Sequence, residues 1–107
     1  MSKLLEKKCV PCREGTPPLT AEAVEHLRKE VPEWNVIENT EIQRTFPFEN
    51  FAEGLSFVNQ IGRLADEEDH HPTIELSYKK ATVRLTTHAI DGLSENDFIL
   101  AAKIDQI

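Results

Sequence analysis

No stretch of this 107-residue sequence approaches the ~20 consecutive apolar residues that a membrane helix requires. The opening residues Met1-Ser2-Lys3-Leu4-Leu5-Glu6-Lys7-Lys8 lack the apolar segment and cleavage pattern of a secretory signal, so the expectation is a cytoplasmic protein. Positive charge is scarce: 12 Lys and Arg against 19 Asp and Glu leave a formal net charge of −7. The basic footprint of a nucleic-acid binder is therefore missing, and an anionic surface also disfavours anionic lipid. Lys79-Lys80 reads as a solvated hairpin turn. Repeats of solenoid length and low-complexity tracts are absent. Cysteine is limited to Cys9 and Cys12, in Cys-Val-Pro-Cys. One such pair supplies two of the four ligands of a structural zinc. It lies in a Pro- and Gly-rich stretch, whereas redox pairs open a helix after a strand. An incidental thiol pair or local tie, a metal half-site and a redox pair all stay open.

What is present suits one domain over residues 1–107 with a modest core. Residues 1–18 read as an irregular arm ending in Gly15-Thr16-Pro17-Pro18. Thr20 is a good N-cap, Leu19 can staple to Val24, and Val24, Leu27 and Val31 share one helical face until Pro32 ends it. His26 on this helix reads as exposed. Trp34 to Ile37 and Glu41 to Phe46 form a hairpin through Asn39-Thr40, closed by Pro47. From Phe48 to about Glu67 a helix is expected, with Phe51, Leu55, Val58, Ile61, Leu64 and Ala65 as its core face. Ile74, Leu76 and Tyr78 share one side of the next strand, and Tyr78 is expected to pack in the core. Val83 and Leu85 share one side of the strand after it. Asp91-Gly92 is a turn. Ser94 and Asp97 form the capping box of a last helix that is apolar on several sides. The order α-β-β-α-β-β-α predicts an α+β fold: a four-stranded antiparallel sheet with three helices packed on one face.

One segment breaks local rules. The long helix ends Asp66-Glu67-Glu68-Asp69-His70-His71-Pro72, and four carboxylates at a helix C-terminus oppose its partial negative charge. Either the acids point to water or they belong to a functional site. Histidine titrates near neutrality, so the adjacent pair can supply a general acid or base at physiological pH. Pro72 restricts His71 to extended backbone, which helps fix its direction. His88 follows the second hairpin, and the antiparallel return brings it towards His71, so His70, His71 and His88 are expected around one pocket. Three imidazoles could hold a zinc for a metal-dependent hydrolase, but adjacent residues in extended backbone point to opposite sides, and no metal is expected. No serine or cysteine nucleophile motif accompanies them.

The same residues carry a resemblance. Asp66, His70-His71-Pro72, Tyr78, His88 and Asp97 stand at the spacing of the core pattern of the pterin-4a-carbinolamine dehydratases. Looser similarity runs from Pro17-Pro18-Leu19-Thr20 through Trp34 and Thr86-Thr87 to the last helix. The resemblance implies four antiparallel strands and three helices assembled as homodimers or homotetramers. It also implies a cofactor-free dehydratase, with no bound metal, that recycles the oxidised pterin released by aromatic amino acid hydroxylases. Its catalytic histidines map onto His70, His71 and His88. Asp66 stands where animal members often have glutamate, which keeps the charge and shortens the reach. Protonating the 4a hydroxyl and removing the N5 proton is work for His70 and His88; His71 would hold the substrate, and Asp66 or Asp69 would orient it. Asp97 is expected to be structural, as the helix cap. Animal members also serve as dimerisation cofactors of a homeodomain transcription factor, so a non-enzymatic binding module is the alternative reading.

Overall fold

The computed structural model describes residues 3–11 and 15–107. Cys12 lies outside them, and with it the cysteine pair as a pair. Helices and strands follow the expected order: α1 (Ala21–Arg28), β1 (Asn35–Ile37), β2 (Glu41–Pro47), α2 (Phe51–Glu68), β3 (Thr73–Ser77), β4 (Lys80–Leu85) and α3 (Glu95–Ile104). The strands form one antiparallel sheet in the order β1-β2-β4-β3.

Turn chemistry sets both hairpins. Glu38 and Asn39 have φ of 51° and 59°, the left-handed pair of a type I′ turn, whose twist matches that of the flanking strands. The second hairpin turns at Tyr78-Lys79, because Ser77 already pairs with Lys80. Tyr78 therefore leaves the side shared by Ile74 and Leu76. It is 68% exposed, which corrects its expected core position. In the centre, β2 pairs with β4 from Ile42↔Leu85 to Pro47↔Lys80. Ile42, Ala81, Val83 and Leu85 are fully buried beneath the helices. The opposite face is polar; there the Thr45 and Thr82 hydroxyls meet at 3.0 Å.

Thr20 caps α1 by accepting the Ala23 N–H at 3.2 Å, and His26 is exposed as expected. Asn50 caps α2 by accepting the Glu53 N–H, which starts that helix at Phe51 rather than Phe48. A Cβ at Gly54 would lie 3.0 Å from Leu76 Cδ1, so the absence of a side chain lets α2 approach β3. Ile61 and Ala65 are buried, but Phe51 and Leu55 are 45% and 43% exposed. The expected core face is thus real only over the second half of the helix. Buried α3 supplies Phe98 to Ala102 and Ile104 to the core. Trp34, also fully buried, donates its indole N–H to Asp105, which pairs with Arg44 at 2.7 Å.

Candidate active site

The acidic end of α2 is resolved by three separate devices. Asp69 adopts φ 51°, and the N–H of His70 reaches back to the Ala65 carbonyl at 3.1 Å. This Schellman-type ending satisfies the last carbonyls and turns the chain sharply; aspartate is one of the few side chains tolerated there. Glu68 does not point to water. Its carboxylate is buried, accepting the Cys9 N–H and the Lys103 ammonium, each at 2.8 Å. Burial works against its charge, but Lys103 and then the Cys9 N–H hold the carboxyl below the usual carboxylate range. Asp66 remains exposed, and the Nε2 of His71 lies 3.0 Å from its Oδ1.

The sharp turn delivers His70 to the first turn of α3. Its Nε2 lies 2.6 Å from Asp97 Oδ1, with the histidine side chain 11% exposed and the aspartate fully buried. A carboxylate only accepts, so Nε2 carries the proton of this bond and Nδ1 is the ring nitrogen left for a ligand. The other oxygen of Asp97 accepts the Ser94 N–H at 3.0 Å and the Thr87 hydroxyl at 2.8 Å. Asp97 is the expected cap and also the partner of His70. A cap assignment accounted for one of its oxygens and missed the other.

His88 arrives by a different route. β4 stops at Leu85, and after the Thr86-Thr87 link His88 opens a single 3-10 turn, His88–Ile90. The Thr87 N–H bonds the Gly92 carbonyl at 2.9 Å, which closes the loop, and Ile90 is buried beneath it. A Cβ on Gly92 would meet Pro18 at 2.7 Å, so a glycine is needed where that proline packs. Because Thr73 pairs with Arg84, the segment after β4 lies beside the one before β3.

The result is an open cleft of about 370 Å³ lined by Asp69, His70, His71 and His88. Thr86, Thr87, Ala89, Asn96 and the arm residues Val10 and Pro11 complete its wall. Four of the five expected site residues thus meet. Asp66 is not part of the lining and reaches it through His71. A second hollow of about 560 Å³, on the side of Pro17 and Pro18, shares His88 but neither of the other histidines. The arm is less loose than its composition suggests. Leu4 is buried in a 3-10 turn over Lys3–Glu6, and the Asn96 side-chain amide clamps the backbone of Val10. The Cys9 thiol is pushed up to about 12 by burial and then by the charge of Glu68, so it stays protonated and unreactive. Among the described residues no three His, Cys, Asp or Glu side chains are grouped to hold a metal ion, and no helix is long and apolar enough to cross a membrane.

Chemically, the cleft offers histidines at the wall, one locked in orientation by a buried carboxylate, with further carboxylates near the rim. That equipment suits proton transfer to and from a small polar ligand.

Known proteins resemble this chain along nearly its whole length. The sequence profile of the family described as pterin 4 alpha carbinolamine dehydratase matches residues 17–107. A protein of Rubrobacter xylanophilus, provisionally named a pterin-4-alpha-carbinolamine dehydratase, is 48% identical over 107 residues and is covered in full, as is this chain. One of Alkaliphilus metalliredigens with the same provisional name is 49% identical, covering 99% of this chain and 96% of the relative. The crystal structure of a transcriptional coactivator/pterin dehydratase from Brucella melitensis matches with a TM-score of 0.79 at 28% identity, covering 83% of this chain and 96% of that one. A pterin dehydratase-like RuBisCO assembly factor of the alpha-carboxysome shares the fold, with a TM-score of 0.59 at 20% identity over 69% of this chain and 87% of that one.

Proposed function

The chain belongs to the pterin-4a-carbinolamine dehydratase family, and on that premise we propose that it converts a 4a-hydroxy-tetrahydropterin to the quinonoid dihydropterin and water by histidine acid–base catalysis. The observation that carries this reading is the convergence of His70, His71 and His88 on one cleft, with His70 held by Asp97.

The chemistry balances without a redox partner. The C4a–O bond breaks as the hydroxyl is protonated, the N5 proton leaves to a base, and positive charge develops on the ring between those events. In this reading His70 and His88 carry the two protons, while His71 holds the hydroxyl. Asp69 and, through His71, Asp66 orient the substrate and stabilise the cationic ring. Because no electrons are exchanged with a second substrate, the reaction requires no cofactor.

The role extends outward. The substrate is the product of an aromatic amino acid hydroxylase, so the protein acts in tetrahydrobiopterin recycling, in the cytoplasm, as a homo-oligomer. The exposed pair Phe51 and Leu55, one turn apart on α2, supplies an apolar stripe suited to a second copy. The test generates the 4a-hydroxy-pterin with a hydroxylase and follows its dehydration with and without the protein, after chelator treatment. Acceleration that survives the chelator is expected. No acceleration sinks the dehydratase reading, and activity lost to chelator and restored by zinc replaces it with a metal mechanism.

A further inference from the structure

We propose that the N-terminal arm is a built wall of the substrate cleft, with Val10 and Pro11 forming an apolar subsite for a flat heteroaromatic ring; the identity of that ring as a pterin rests on the dehydratase reading. The arm precedes the family-matched stretch, which begins at residue 17. It nonetheless contributes two of the residues around the three histidines.

Its attachment is specific. The Cys9 N–H donates to Glu68 Oε1 at 2.8 Å. The Val10 N–H donates to Asn96 Oδ1 at 3.0 Å, and the Asn96 amide N–H donates back to the Val10 carbonyl at 2.6 Å. Glu68 and Asn96 are both buried. Glu68 stands two residues before His70, and Asn96 stands one residue before Asp97. The two elements that fix His70 therefore also fix residues 9 and 10 of the arm, so arm and histidine share one frame. Leu4, sunk in the core, anchors the far end.

The chemistry of the wall gives the arm its task. Asp69, the three histidines, Thr86, Thr87 and Asn96 are polar or charged, and Ala89 offers a single methyl. Small-molecule sites combine a few directed polar groups with apolar area that covers the ligand. Here that area comes from Val10 and Pro11. Val10 is 64% exposed although its backbone is clamped on both sides, so its isopropyl group is held at the rim instead of folding into the core. A ring seated against it would be shielded from water on one face while its polar edge met the histidines.

The test compares the wild-type chain with Val10→Ser, Asn96→Ala and the double variant. Dehydration kinetics and titration with a fluorescent dihydropterin are both read. Val10→Ser is expected to raise KM and the dihydropterin Kd roughly 5- to 10-fold, with kcat within about two-fold. Asn96→Ala, which removes the clamp on the Val10 backbone while Glu68 and Leu4 still hold the rest of the arm, should raise both to a similar degree. The double variant should be no worse than Asn96→Ala alone, because a residue 10 with an unclamped backbone no longer presents its side chain to the cleft. Unchanged KM and Kd in Val10→Ser, or full additivity in the double variant, overturns the proposal. A wild-type chain that binds dihydropterin without turnover overturns the dehydratase reading alone, and the Kd series still decides the arm. A wild-type chain that neither binds dihydropterin nor accelerates dehydration overturns both; with turnover alone, the KM series decides the arm.

Discussion

Asp97→Asn should leave the protein folded and remove most of its activity. Asp97 is fully buried and accepts three hydrogen bonds: from His70 Nε2 at 2.6 Å, Thr87 Oγ1 at 2.8 Å and the Ser94 N–H at 3.0 Å. Asparagine has the same shape but one accepting oxygen and one donating nitrogen. If its oxygen takes the place of Oδ2, the bonds from Thr87 and Ser94 survive at neutral strength. The stability cost is then about 1–2 kcal/mol. Its amide nitrogen must then face His70 Nε2, and two donors cannot share a 2.6 Å contact. His70 has to move its proton to Nδ1, so the nitrogen presented to the cleft changes from acceptor to donor. Reversing the tautomer of a carboxylate-held catalytic histidine costs about 10²–10⁴-fold in turnover, by analogy with hydrolase triads. The assay is single-turnover dehydration, with thermal unfolding and ¹⁵N histidine chemical shifts on the same samples. A folded Asp97→Asn protein within three-fold of wild-type turnover, or one with Nε2 of His70 still protonated, would refute the reasoning. Asp97→Ala is the poorer probe, since loss of the cap alone costs about 1 kcal/mol and a cavity adds to it.

Three further outcomes follow from the same geometry. The Glu68 carboxyl sits below its ordinary value of 4.5 in the folded chain, so its stabilisation is present above pH 4.5 and lost as the pH falls through the folded value. Glu68→Gln leaves the Lys103 ammonium without its counter-charge, so it should cost about 3–5 kcal/mol at pH 7 and flatten the acid limb of a stability–pH curve; an unchanged limb contradicts the role given to Lys103. With its thiol pushed up to about 12 from 9.0, Cys9 in a Cys12→Ser background should alkylate at pH 8 at least about 100-fold more slowly folded than in urea, and equal rates would count against its burial. Phe51→Glu with Leu55→Glu should shift the protein to monomers in sedimentation while its circular dichroism keeps the wild-type form, as neither side chain packs in the core of its own chain; a wild-type chain that is itself monomeric removes the basis for an oligomer on this face.

Local chemistry made most of the fold readable. The Thr20 cap, the Ser94–Asp97 box and the alternation of Val83 and Leu85 each act within a few residues, and the elements stand where those signals put them. Tyr78 was misplaced because a two-residue hairpin ends β3 at Ser77, a choice made jointly with Lys80 on the partner strand. Phe51 and Leu55 have helical spacing but no sheet beneath them, and periodicity does not say what lies opposite. At the site, the histidines were legible because His70-His71-Pro72 and His88 flank one antiparallel turn. In the sequence Glu68 is one of four acids whose role stays open; its partners, Lys103 and the Cys9 N–H, come from 35 and 59 residues away. Thr87, Asn96 and the second task of Asp97 were equally hidden, since each depends on a contact that only the packed α3 creates.

The most direct measurement is the dehydration rate of His70→Ala and His88→Ala beside the wild-type chain, with each variant shown to unfold at the wild-type temperature and to bind dihydropterin. The account predicts that each loses about 10²-fold or more in turnover. Both variants running at the full wild-type rate would contradict it.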